Sequence, residues 1–315
     1  MIRLSAPVGD GAMHDASDTA TTNGSEGAVA VICGGGKLPA EVLRAASDRG
    51  RRVVAIAIKG EADPSVEAFS PVHLGWGQIG KLASHLEREK VRDLVMIGSI
   101  TRRPELREIV SDLGTMRRLP KIIASLAGGD DSLLKKVIRF FEAEGFRVVG
   151  AHEVAPQLLA QPGCMAGTPP KGELLADMEL GAATVAELGR LDIGQAAVCF
   201  HGRIIAVEGA EGTDSMLERC RELRERGRVR GKGGVLVKCA KPGQDLRVDL
   251  PTIGPGTVQR VRDAGLSGIA IEAGRVLIAE RAETVALAAR SGVFLYGISG
   301  GISAKPAPAQ AGSGQ

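Results

Sequence analysis

Ala28-Val29-Ala30-Val31-Ile32-Cys33-Gly34-Gly35-Gly36-Lys37-Leu38-Pro39 decides the fold class of this chain. The run 28–33 is apolar without a break, as in a strand buried on both faces of a parallel sheet. Three glycines turn the chain, and Pro39 suits the first turn of a helix, where its missing N–H costs nothing. The helical pattern then runs over 39–49. A second buried strand is predicted at 52–58 (RVVAIAI). A helix follows at 78–90, with Ile79, Leu82, Ala83 and Leu86 at helical spacing, then a third strand at 94–97, closed by Gly98. Asp131 or Ser132 caps a helix whose Leu133, Leu134, Val137, Ile138 and Phe141 form one stripe. Phe146 to Val149 make a fourth strand. Strands alternating with helices mean βαβ units, so residues 28–154 read as a Rossmann-like α/β domain with a parallel sheet.

Working outward, residues 1–27 carry Gly, Ala, Ser, Thr and Asp with no apolar period and read as a disordered tail, as do 303–315. Residues 155–171 (APQLLAQPGCMAGTPPK) hold four Pro and two Gly and read as a linker. Residues 172–302 read as a second, distinct α/β domain. Its predicted strands are 196–200, 204–208, 235–239, 268–272 and 276–278, and its predicted helices 173–188, 214–225, 256–264 and 282–291. Two domains also suit the chain's 315 residues.

Composition narrows the function classes. Lys plus Arg number 40 against 37 Asp plus Glu, a net charge of +3, which does not suggest a dedicated nucleic-acid binder. One Trp and one Tyr leave little for base stacking. Five Cys without a C-x-x-C pair read as reduced thiols, which points to the cytoplasm. No apolar run reaches the roughly 18 residues a membrane span needs, and no secretory signal is visible.

Several segments carry candidate chemistry. Gly34, Gly35 and Gly36 stand where a doubly wound sheet brings backbone amides to a phosphate. The G-x-G-x-x-G register fails at Pro39, and Lys59 stands where an NAD site places an acid, so phosphate, tight turn and dinucleotide readings stay open. The segment KCAKPGQDLRVDLPTIG, 238–254, holds Lys238, Lys241, Gln244, Asp245, Arg247, Asp249 and Thr252. Such a mixture supplies cations for phosphate oxygens and carboxylates for a hard divalent ion, although a surface loop has similar composition. In EGAEGTD, 208–214, Glu211 and Asp214 are candidate metal ligands, with Asp214 equally suited to an N-cap. Gly129-Asp130-Asp131 reads as a helix cap or an acidic site. His152 closes the fourth strand at the edge where open sheets bind ligands. Gly212 to Gly227 approaches a Nudix box, but Glu218 lies too near the Arg-Glu pair. No G-x-S-x-G elbow appears.

Taken in order, ICGGGKLP at 32–39, Gly129-Asp130-Asp131, Gly150-Ala151-His152-Glu153, Leu191-Asp192-Ile193-Gly194-Gln195, Glu211-Gly212-Thr213-Asp214 and KPGQDLRVDLPTIG at 241–254 resemble the LpxI-type UDP-2,3-diacylglucosamine pyrophosphatases of lipid A biosynthesis. The resemblance spans about residues 28–300. It implies hydrolysis of UDP-2,3-diacylglucosamine to UMP and 2,3-diacylglucosamine 1-phosphate by water attack on the α-phosphorus, with Mg²⁺, or Mn²⁺ in its place. The substrate would lie between the two domains. Asp249 matches the family's essential acid. Catalytic roles are then expected for Asp249, Gln244 and Lys241, and substrate contacts for Gly34, Gly35, Gly36, Arg247, Thr252 and His152. Asp249, Asp245, Asp214 and Glu211 are the expected metal ligands. Peripheral contact with the inner face of the inner membrane, through the lipid substrate, and a homodimer remain open. The competing classes are an NAD(P)-dependent oxidoreductase and a non-catalytic nucleotide-sugar binding module.

Overall fold

The computed structural model describes residues 27–101 and 133–299. Both predicted tails, apart from Gly27, and the Gly129-Asp130-Asp131 and Ser132 cap lie outside the described residues.

The first half forms one parallel sheet. Its strands are β1 (Ala28–Cys33), β2 (Val53–Ile58), β3 (Val72–Leu74), β4 (Val91–Ile97) and β5 (Arg147–Val148), in spatial order β3-β2-β1-β4-β5. Helices α1 (Leu38–Asp48), α2 (Ile79–Arg88) and α3 (Leu133–Ala143) join them, and the short α4 (Ala151–Val154) follows β5. The apolar run of β1 serves two cores at once. Val29, Val31 and Cys33 pack with Val42, Leu43 and Ala46 of α1. Ala28 and Ala30 face the other way, toward Leu86 of α2 and Ile138 and Phe141 of α3. Alternate residues of a strand point to opposite faces, so an unbroken run is what two helical layers demand.

The second half is a mixed sheet in the order β6-β13-β11-β9-β7-β8. Its strands are β6 (Gly163–Ala166), β7 (Ala196–Phe200), β8 (Arg203–Val207), β9 (Val235–Lys238), β11 (Gly268–Glu272) and β13 (Phe294–Ile298). β9, β11 and β13 run parallel, whereas β6 pairs antiparallel with β13, and β7 antiparallel with both β9 and β8. β10 (Thr252–Ile253) and β12 (Leu277–Ile278) make a separate parallel pair. The helices are α5 (Glu173–Arg190), α6 (Gly212–Glu225), α7 (Pro255–Asp263) and α8 (Arg281–Arg290).

Segment 155–171 is more ordered than a linker reading implies. It holds a 3-10 turn at Pro156–Leu158 and the edge strand β6. Pro162 sits just before the strand, so it removes no ladder donor. The two halves also share apolar contacts. Leu277 of β12 belongs to the core of β1 and α1, with Leu250 and Ala279 packed against it. Val248 packs against the opposite core of the first sheet. Segment 239–251, between β9 and β10, therefore runs along the junction of the two halves.

Candidate active site

Strand direction gathers the polar groups of the second half. β8 and β9 end at one edge of the sheet, and the antiparallel β7 between them begins there. Glu208 follows β8, Lys238 closes β9 and Glu272 closes β11, and all three are buried. Lys238 Nζ donates to Thr213 Oγ1 at 2.7 Å, and Thr213 Oγ1 donates to Glu208 Oε2 at 3.1 Å. Burial pushes the Lys238 ammonium below the usual lysine range, while the carboxylates of Glu208, Asp214 and Asp249 pull it back up. The charges of two of the expected metal ligands, Asp214 and Asp249, thus act on one buried ammonium. The Glu272 carboxylate accepts the Ala240 amide at 3.0 Å and Arg275 at 3.3 Å, which ties the start of segment 239–251 to the neighbouring strand.

Segment 239–251 begins with a tight turn written in its residues. In Lys241-Pro242-Gly243-Gln244, Pro sets the second position and Gly243 takes a φ of +74° at the third, the pattern of a type II turn. The Gln244 amide donates to Lys241 O at 3.2 Å, and Gln244 Oε1 accepts the Lys241 amide at 2.8 Å. The Gln244 side-chain oxygen is therefore engaged in closing the turn. Its buried Nε2 has no hydrogen-bond partner among the described residues. Lys241 Nζ reaches Asp192 Oδ1 at 2.7 Å, in the turn after α5. Arg247 binds Asp245 through Nε at 2.9 Å and Nη2 at 2.7 Å, and Glu142 of α3 through Nη1 at 2.8 Å. This bidentate contact holds the Asp245 carboxyl below the usual carboxylate range. Asp249 is exposed. Thr252 Oγ1 donates to Leu250 O at 3.2 Å.

His152 joins this segment from the first half. A Cβ on Gly150 would lie 2.3 Å from His152 Cε1 and 3.2 Å from Leu246 O, so Gly150 leaves room for the imidazole beside the segment. His152 Nδ1 is buried without a hydrogen-bond partner among the described residues.

The glycine turn of the first half is built differently. The Gly34 amide donates to Ile97 O at 2.9 Å, and Gly35 exchanges hydrogen bonds with Ser99 at 2.8 and 3.0 Å. A Cβ on Gly34 would lie 2.6 Å from Ser99 O, and one on Gly98 would lie 2.7 Å from Gly34 C. These glycines let β1 and β4 stay in contact past their ends. The Gly34 and Gly35 amides, which the sequence suggested for a phosphate cradle, are thus paired with backbone carbonyls. Gly36, at φ +82°, has open space beside it. Lys37 Nζ binds Glu280 Oε2 at 2.7 Å, and Glu41 Oε2 accepts the Glu280 amide at 3.0 Å. The carboxylates of Glu280, Asp63 and Glu41 all act on Lys37, so the start of α1 already faces negative charge.

Among the described residues, no three His, Cys, Asp or Glu side chains converge on a metal position. Asp245 is held by Arg247, and Glu211 by Arg219 at 2.5 Å, each away from a shared site. Asp214 meets Arg260 at 3.2 Å on a side chain that is 60% exposed. The exposed carboxylates whose charge acts on Lys238 are Asp249 and Asp214, the latter paired with Arg260. That donor set fits Mg²⁺, which takes one or two protein carboxylates and completes its shell with water and phosphate oxygens.

The sequence placed Lys238 among the candidate cations of 238–254 and Glu208 at the head of the acidic segment 208–214, but assigned no role to Thr213 or Glu272. A usable signal was present: Val235-Leu236-Val237-Lys238 and Gly268-Ile269-Ala270-Ile271-Glu272 both end apolar strands on a charged residue.

Comparison with known proteins agrees along both halves. Residues 28–158 match the LpxI N-terminal domain, and residues 161–296 the LpxI C-terminal domain. A protein of Caulobacter vibrioides named UDP-2,3-diacylglucosamine pyrophosphatase LpxI is 39% identical over 270 residues, covering 85% of this chain and 96% of that protein. A match that spans both domains and nearly the whole of a relative leaves one assignment: the chain belongs to the LpxI family.

Proposed function

We propose that this chain is a hydrolase that cleaves the pyrophosphate of UDP-2,3-diacylglucosamine, releasing UMP and 2,3-diacylglucosamine 1-phosphate. The observation that carries the reading is the 39% identity to a named pyrophosphatase across 96% of its length. The edge around Lys238 supports it, because it sets exposed carboxylates beside cations, as a phosphoanhydride requires.

The pyrophosphate lies against segment 239–251, where the two halves meet. Lys241 exchanges Asp192, whose side chain is 86% exposed, for a phosphate oxygen. Arg247 keeps Asp245 and turns the Glu142-facing nitrogen toward the substrate. Asp249 and Asp214 are the residues that would hold Mg²⁺, or Mn²⁺ in its place. When bound, the ion supplies charge neutralisation and a more acidic water. Asp249 orients the attacking water toward the phosphorus on the uridine side, and His152 lines the first-half wall of the same space. Among the described residues no helix is long and apolar enough to cross a membrane.

Incubation with UDP-2,3-diacylglucosamine and Mg²⁺, with and without chelator, tests the reading. UMP release that stops in EDTA and returns with Mg²⁺ or Mn²⁺ is expected. In heavy-oxygen water the label should enter UMP alone. Label in the lipid product would move the attack to the other phosphorus, and no UMP at all would reject the reaction.

A further inference from the structure

Three groups at this edge take no part in the reaction as proposed: the buried Glu208 and Lys238 and the half-buried Thr213. Their donor directions are fixed by chemistry. An ammonium only donates and a carboxylate only accepts, so the single Thr213 proton points at Glu208 while its lone pair receives Lys238. Glu208 and Lys238 are each 7% exposed, so neither reaches far into solvent. The backbone holds both ends of this chain. Lys238 is paired with Ala196 on one side and Ile271 on the other. A Cβ on Gly194 would come within 2.0 Å of Glu208 O, so glycine there lets the turn after α5 close over Glu208. An isolated ammonium would not survive such burial, and the neighbouring carboxylates supply the opposing charge. Glu208 is buried beside it, while Asp249 and Asp214 are exposed, Asp214 in an ion pair with Arg260 that a ligand can exchange.

We propose that Lys238 is a positioning residue for the hydrolysis, held by Thr213 and Glu208 so that its ammonium keeps the Asp249 and Asp214 carboxylates turned toward the substrate. This rests on the reading that those two carboxylates serve the reaction. Lys238 itself is too deep to bind phosphate. Thr213 is the place to test it, because valine keeps the shape and removes both hydrogen bonds, whereas serine keeps the hydroxyl.

In the full-length chain, Thr213→Val should lower kcat at least thirtyfold with KM within threefold of the original and a melting temperature within a few degrees. Thr213→Ser should stay within threefold in kcat. Lys238→Met should lose at least as much as Thr213→Val, and the double variant should be no worse than Lys238→Met alone, because both act in one chain of contacts. A Thr213→Val enzyme with unchanged kcat overturns the proposal. So does a Thr213→Ser enzyme as impaired as the valine variant, since that would be packing alone. A full-length chain that releases no UMP overturns the hydrolase reading and this inference together. Normal release by both the original chain and Thr213→Val overturns the inference only.

Discussion

The two halves each contain a glycine- or charge-rich segment of the kind that handles phosphate, and they use them differently. In the first half, Gly34 and Gly35 direct their amides inward, onto Ile97 and Ser99, and the following Lys37 is engaged by Glu280. In the second half, segment 239–251 uses its glycine for a turn and presents Asp249 to solvent. A strand-glycine-helix junction offers a phosphate only those backbone amides that it leaves unpaired. Here glycine allows two strand ends to touch, and in the proposed reaction the charged work falls to side chains at another sheet's edge.

Acids divide in the same way. Asp249 is exposed and its charge acts on the buried Lys238, whereas Asp93 of β4 is itself buried between cations. The largest expected effect follows from that contrast. Asp249→Ala should reduce kcat about 10³-fold, roughly 4 kcal/mol of barrier, with the melting temperature unchanged. A folded variant with near-normal kcat would remove Asp249 from the site and leave the second half without its distinguishing feature.

Asp93 should give the converse result, a loss of stability without a loss of chemistry. Arg51 reaches its Oδ2 at 2.6 Å, and Arg147 reaches its two oxygens at 2.7 and 2.8 Å. Burial raises the Asp93 pKa, but these hydrogen bonds outweigh it and hold the carboxyl below its usual range. The unfolded group titrates near pH 3.9, so its contribution is complete above that and is lost as pH falls through the lower folded value. Melting temperature should therefore hold from neutral pH to about 4.5 and then drop. Asp93→Asn should destabilise by about 3 kcal/mol at pH 7 and show a shallower acid drop. An Asn variant with the same acid profile would place the titrating acid elsewhere.

Gly34→Ala tests the turn directly. Its Cβ would meet Ser99 O at 2.6 Å, a backbone atom that cannot step aside. Separating the two strand ends should cost about 2 kcal/mol of stability, with KM for the protein that remains folded within twofold. A rise in KM at unchanged stability would return the turn to the substrate.

Much of this arrangement was legible in residue order. Val29 to Cys33 and Ile269 to Glu272 announce strands because both faces of each are buried. β13 went unread, although it lies second from the edge of its sheet, because Phe294-Leu295-Tyr296-Gly297-Ile298 contains a glycine and ends against a glycine-rich tail. That glycine is required: a Cβ there would lie 1.9 Å from Gln161 O, in the segment read as linker. β6 and β3 are too short to show a period. At the site, KPGQDLRVDLP marked the region, yet composition could not tell Asp245, which is locked by Arg247, from Asp249, which is not. Nor could it join Lys238 to Glu208 and Thr213, which lie 30 and 25 positions earlier and come near it because the antiparallel β7 sets β8 beside β9.

Gly36 carries the smallest expected effect and the sharpest test of the contrast. No atom lies within 4 Å of its missing Cβ, so Gly36→Ala meets no clash. Its φ of +82° is the only obstacle, and alanine in that region costs about 1 kcal/mol. The open space has two meanings. If substrate phosphate approached the start of α1, a methyl group at Gly36 would stand in its path and KM would rise tenfold or more. The carboxylates of Glu280, Glu41 and Asp63 around Lys37 argue that no phosphate comes there. Gly36→Ala should then melt a few degrees lower and keep KM and kcat within twofold. Steady-state kinetics and a thermal melt on the one variant decide whether the first half touches the pyrophosphate through this turn.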